Sequence, residues 1–148
     1  MKLVYIAGPF APTARQRANI HECFRFGHGV MAEDSFVAAN IARATRLALR
    51  VAESGHMPVC PHSNTSDEEF LSLQTPEFWY AGTLELMRRC DAIALTDDWR
   101  ESNGACREVI EAERIGKALW EDGDCIADIP QYAAMEAYSA LRSRGQEP

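Results

Sequence analysis

The residues best suited to chemistry in this sequence fall in three short polar clusters. They are Gly8-Pro9, His62-Ser63-Asn64, and a longer run from Asp97-Asp98-Trp99 through Ser102-Asn103-Gly104 to Glu108. Ser102-Asn103-Gly104 leads directly into a helical stretch, so the backbone N–H groups and the Ser102 hydroxyl can hold a phosphate or another anion at a helix N-terminus. The simpler reading is that Ser102 or Asn103 caps that helix. Glu108 follows Gly104 by four residues and lies near the first turn. A carboxylate there can act as a nucleophile, or it can be a surface acid favoured by the helix dipole. Asp97 and Asp98 read equally as a solvated turn.

His56, Cys60 and His62 invite a zinc reading. A strand places 60 and 62 on one face with His56 beyond it, but no fourth ligand and no Cys-x-x-Cys spacing accompanies them. The expectation is therefore no metal, and no cofactor of any kind. Phe24, Phe26 and Phe36 can stack on a flat ring, although aromatics at such spacing more often belong to a core.

Elements must carry these clusters to one place. Val4 to Ala7 is a short apolar run stopped by Gly8-Pro9, as a buried parallel strand ends at a loop. Ala14 to about Val30 is helix-like but broken by Gly27 and Gly29, while Ser35 to Ser54 has firm helical spacing and ends at Gly55. Met57 to His62 reads as a strand whose two prolines place it near an edge, running into a polar loop from Ser63 to Glu69. Thr75-Pro76 starts a helix towards Cys90, and Asp91 opens a third strand through Leu95. Ala105 to Ile115 forms a helix stopped by Gly116, Lys117 to Trp120 a fourth strand, and Ile129 to Leu141 a terminal helix.

Strands alternating with helices imply a doubly wound α/β fold of the flavodoxin or Rossmann type, a four- to five-stranded parallel sheet with helices on both faces. In such a sheet, ligands bind beyond the carboxyl ends of the strands, where all three polar clusters lie.

The chain has 148 residues, 47% of them hydrophobic, which suits one domain over 1–141 followed by a flexible tail at 142–148. A net charge of −7 speaks against a nonspecific grip on a nucleic-acid polymer or an anionic membrane. No apolar run approaches the roughly 20 residues of a membrane span. Five cysteines without a Cys-x-x-Cys pair suit reduced thiols and a cytoplasmic protein.

Taken together, Val4-Tyr5-Ile6-Ala7-Gly8-Pro9, Pro58-Val59-Cys60-Pro61-His62, Cys90-Asp91-Ala92-Ile93 and Trp99-x-x-Ser102-x-Gly104-Ala105-x-x-Glu108 resemble the nucleoside 2-deoxyribosyltransferase superfamily. The closest resemblance is to a small branch with a Trp-x-x-Ser-x-Gly-Ala loop, related to N-glycosidases of deoxynucleoside 5′-monophosphates. It extends over about residues 2 to 120 as scattered blocks. It implies cleavage or transfer of an N-glycosidic bond through a glycosyl ester on Glu108, with Tyr5 hydrogen-bonding near that nucleophile. It also implies that Ser102, Asn103 and Gly104 hold a 5′-phosphate, with Arg15 or Arg17 from the first loop as cationic helper. Gly8, Pro9 and Trp99 would line the pocket, Trp99 as a lid or a subunit contact, and His62 would be a rim hydrogen-bonder to sugar, phosphate or base. The implied partner is a small-molecule nucleoside or nucleotide, and the implied assembly a homodimer or larger.

The sequence departs from the family pattern at Thr83, where many relatives carry an aspartate. Release of a base calls for a proton donor with a raised pKa. Asp98 is the expected substitute. A non-catalytic nucleotide-binding module of the same fold is the alternative reading. The segment from about His21 to Ala39 is long for the family's first crossover and suggests an extra helix or lid.

Overall fold

The computed structural model describes residues 1–18, 29–64, 71–121, 123–126 and 131–147. Strands β1 (Leu3–Ala7), β2 (Met57–Val59), β3 (Ala92–Leu95) and β4 (Ala118–Glu121) form a parallel sheet. A fifth strand, β5 (Asp124–Ile126), which the sequence did not single out, pairs antiparallel with β4. The order is β2-β1-β3-β4-β5, so the chain reverses its direction of winding between β1 and β3 and the fold is doubly wound. Proline-containing β2 lies at the edge, where a missing N–H costs nothing.

Among the helices of the described residues are α1 (Gly29–Glu53), α2 (Pro61–Asn64), α3 (Pro76–Arg89), α4 (Asn103–Arg114) and α5 (Gln131–Ser143). Helix α1 begins six residues before the expected Ser35, so residues 29–39 of the segment expected to form an extra helix or lid belong to α1, while 21–28 lie outside the described residues. Phe24 and Phe26 lie outside the described residues, and Phe36 is half-buried on α1. Pro61 and His62 are not strand residues. They open the single turn of α2, because a proline at a first helical position needs no N–H partner. Helix α3 starts as its sequence implies, with the Thr75 hydroxyl accepting from Phe78 N at 3.3 Å. Helix α4 ends before Gly116, whose positive φ lets the chain turn into β4. Helix α5 continues past the expected Leu141 to Ser143, and its last carbonyls accept from Gly145 and Gln146 N–H groups.

Strand alternation divides the core into two layers. Val4, Ile6, Ala92, Ala94, Ala118 and Trp120 face α1, where they meet Ala44, Leu47 and Val51. Tyr5, Ala7, Ile93 and Leu119 face the other way, towards Met87 of α3, Val109 of α4 and Ala137 of α5. Register places Tyr5 beside Ile93 and Ile93 beside Leu119, so the phenol stands in a row of aliphatic neighbours. No helix among the described residues is long and apolar enough to cross a membrane.

Candidate active site

The inward stripe of α4 is Ala105, Cys106, Glu108, Val109 and Ala112. Four of these are apolar or small, as an amphipathic helix requires, and the fifth is a carboxylic acid. Glu108 is therefore not the exposed acid that its place near a helix start allowed: it is 7% exposed and faces the sheet. Opposite it, the parity of β1 turns Tyr5 inward, and the phenol donates a 2.6 Å hydrogen bond to Glu108 Oε1.

Burial has pushed the Glu108 carboxyl from its ordinary value up to about 7, and the bond from Tyr5 partly offsets that rise. The phenol is raised too, by its own burial first and by the neighbouring Glu108 charge second, so it stays protonated and remains a donor. The Thr83 hydroxyl also reaches the Tyr5 phenol, and it lies 3.0 Å from the Tyr80 carbonyl. The departure at position 83 thus stands beside the buried acid.

Two recesses lie on the elements around this pair, although neither Tyr5 nor Glu108 lines them. An apolar cleft of about 370 Å³ is lined by Phe10, Leu71, Pro76, Trp79, Tyr80 and Thr83, with Gln74 as its other polar side chain. Burial raises the Tyr80 phenol pKa, the Glu108 charge adds to the rise, and the Arg107 and Arg88 charges oppose it. A more polar recess of about 290 Å³ lies between residues 11–14 and the start of α4, with Arg17, Glu101, Ser102, Asn103, Gly104 and Arg144 on its walls. Ser102 caps α4 by accepting from Ala105 N at 3.2 Å. Arg144 donates to Asn103 Oδ1 at 2.6 Å and to the Arg100 carbonyl at 2.8 Å, fixing one wall of the recess from the far end of the chain. Arg17 is exposed on the wall, and Arg15 is exposed but does not line the recess.

The loop after β1 contributes Phe10 to the apolar cleft and residues 11–14 to the polar recess, and it is tightly held. Thr13 and Gln16 make a reciprocal cap, the Thr13 N–H donating to Gln16 Oε1 at 2.8 Å and the Gln16 N–H to Thr13 Oγ1 at 3.3 Å. Buried Asn40 of α1 donates to the carbonyls of Phe10 and Ala11 at 3.2 and 3.1 Å. His62 also serves the loop, which corrects its expected place on the rim. Its Nε2–H is shared between the carbonyls of Gly8 and Pro9 at 3.2 and 3.1 Å, while Nδ1 is buried without a partner among the described residues. Burial lowers the histidine pKa and keeps the ring neutral. Gly8 and Pro9 are thus parts of a braced turn. A Cβ on Gly8 would stand 2.4 Å from Thr96 Oγ1, so only glycine fits there without a shift.

Two further expectations are corrected. Trp99 is neither a lid nor a surface for another subunit, because it is 3% exposed and packed in the core, with the Arg100 guanidinium 4.6 Å from its ring centre. Asp98 is ion-paired with Arg43 of α1 and accepts from Thr96 Oγ1 at 2.9 Å. Both partners hold its carboxylate at the end of β3. Burial and Tyr5 set the protonation of Glu108, with no contribution from Asp98.

Arg43, Asn40, Tyr80 and Arg144 escaped the sequence reading. Only the Thr13–Gln16 cap had a local signature, a threonine followed three residues later by a glutamine.

Residues 2–121, which contain β1 to β4 and all of this site except Arg144, match the family described as Domain of unknown function, DUF4406. The chain belongs to this family. No curated protein and no solved structure matches it.

Proposed function

We propose that this DUF4406 protein cleaves or transfers the N-glycosidic bond of a small-molecule nucleoside or nucleoside 5′-monophosphate, with Glu108 as the nucleophile. The observation that carries this reading is the buried Tyr5–Glu108 pair, a desolvated carboxyl whose side-chain hydrogen-bond partner among the described residues is a phenol and not a cation. Departure of a base leaves an oxocarbenium-like sugar, which a nearby carboxylate stabilises and traps as a glycosyl ester for water or a second base to open. Tyr5 occupies Oε1 and leaves Oε2 for the attack. The apolar cleft suits a flat ring. The polar recess, at the start of the helix that carries Glu108, suits a phosphate.

The resemblance to the nucleoside 2-deoxyribosyltransferase superfamily supports the same roles for Glu108 and Tyr5. It also extends the proposal to a homodimer or larger assembly in the cytoplasm, the first part of which sedimentation at micromolar concentration tests. The chemistry is tested by chromatography for free base after incubation with ribo- and deoxynucleosides and their 5′-monophosphates, with Glu108→Gln as control. Release that disappears in the variant is expected. The second reading, a nucleotide-binding module without turnover, is favoured by the engagement of Asp98 with Arg43, and binding without release in the same panel would select it.

A further inference from the structure

Resting on that reading of Glu108, we infer that the preferred substrates are N-glycosides whose base is a positively charged heteroaromatic ring, such as a quaternised pyridine or an N-alkylated purine. Three features of the cleft lead there. Its wall is built from the rings of Phe10, Trp79 and Tyr80, and aromatic faces attract a cation within about 6 Å of the ring centre. The Trp79 ring is fixed in place by its N–H bond to the Leu71 carbonyl at 3.0 Å and by edge-on packing with Phe78. The Glu108 charge acts on Tyr80 in this wall, with the charges of Arg107 and Arg88 opposing it, whereas the side-chain partner of Glu108 itself among the described residues is the neutral Tyr5 phenol. A cationic ring in the cleft would add a positive charge that this phenol does not provide.

The third feature is the chemistry of the leaving group. Among the described residues, no carboxylic acid lines the cleft: its polar side chains are Gln74, Thr83 and the Tyr80 phenol. Asp98, the acid expected to protonate the base, is held by Arg43. A cationic base does not need that proton. When Glu108 Oε2 bonds to the anomeric carbon, the C–N bond breaks, its electron pair passes to the ring nitrogen, and the base leaves neutral. Water then bonds to the anomeric carbon, the ester electron pair returns to Glu108, and one proton is lost to solvent. The net reaction takes a cationic glycoside and water to free sugar, neutral base and a proton.

The test compares matched pairs on one sugar: 7-methylguanosine with guanosine, and nicotinamide riboside with its neutral dihydro form. Base release is measured by chromatography and expressed as rate enhancement over the protein-free reaction, so that the greater intrinsic lability of the cations cancels. General acids typically contribute 10²- to 10⁴-fold, so an enhancement for each cation at least about 100-fold above that for its neutral partner is expected. Thr83→Asp places an acid beside the cleft and should narrow that ratio by about tenfold or more, through faster release of the neutral bases. Trp79→Leu should raise KM for the cations more than for the neutral compounds. Equal or inverted enhancement would overturn this inference while leaving the glycosidase reading intact. Glu108-dependent release absent from every compound, the broader panel included, would remove both.

Discussion

Two acids near the carboxyl edge of the sheet are treated in opposite ways. Asp98 lies on the β3 side of the edge with an arginine from α1 and a threonine hydroxyl around it, so its charge is matched. Glu108 lies on the buried stripe of α4 that faces the opposite layer, with one phenol as its only hydrogen-bond donor among the described residues. The first arrangement stabilises a loop, tying the end of β3 to α1. The second places a charge where the protein supplies little to balance it, so it costs stability whenever the acid ionises. A buried carboxylate of that kind is poised to react with an electron-poor centre that brings its own positive charge.

The largest effect expected from breaking this contrast is on turnover. Glu108→Gln keeps the size and the hydrogen bond to Tyr5 but removes the nucleophile, and base release should fall at least about 1,000-fold. A smaller loss would assign the nucleophile elsewhere.

The same substitution should stabilise the protein above neutral pH. The folded-state value of about 7 lies above the ordinary 4.5, so between these limits the folded chain binds a proton that the unfolded chain has lost. This contribution is fully present below pH 4.5 and is lost as pH rises through 7. At 1.36 kcal/mol per pKa unit, Glu108→Gln should be more stable than the wild type by up to about 3 kcal/mol at pH 8 and no more stable at pH 4, as read by urea unfolding. Unchanged stability at pH 8 would mean that the carboxylate is better solvated than its burial implies.

Gly8→Ala sharpens the other half of the comparison. Its Cβ would displace Thr96, one of the two partners of Asp98, and a cost of about 1–3 kcal/mol in the urea midpoint is expected, the range found for overpacking. Tyr5→Phe removes the donor that lowers the Glu108 pKa, so the acid limb of the pH–rate profile should move to higher pH. A limb that stays in place would uncouple the phenol from the nucleophile.

The smallest effect should come from Asp98→Asn. With the Arg43 and Asp98 side chains 33% and 21% exposed, loss of the pair should cost about 1 kcal/mol of stability and reduce base release less than tenfold. A loss as large as that of Glu108→Gln would restore the proton-donor role to Asp98.

Much of the fold was legible because its signals are local. The apolar run at Val4–Ala7 stops at Gly8-Pro9, Thr75-Pro76 opens α3, and Gly116 ends α4. Tyr5 and Glu108 were reached through a resemblance, yet the spacing of Ala105, Glu108, Val109 and Ala112 already puts the acid on the apolar stripe of its helix. Asp98 was misassigned because its partner stands 55 residues away, and Arg144 was missed because 41 residues separate it from Asn103. Trp99 sits in a polar run, and nothing nearby in sequence announces that the ring turns into the core. Local pattern reports which face of an element is apolar. It does not report which charge will cross from another element to meet an acid.

The alternation along β1 makes the whole arrangement a matter of odd and even. Adding one residue ahead of Tyr5, with the pairing to β3 kept, would turn the phenol towards α1 and present Val4 to the buried glutamate. Two added residues would return it to that face but about 7 Å further along the strand, out of reach of Glu108. Tyr5 thus meets the acid only at the present length of the strand ahead of it, a constraint of register as well as of parity against which natural variants of this chain can be read.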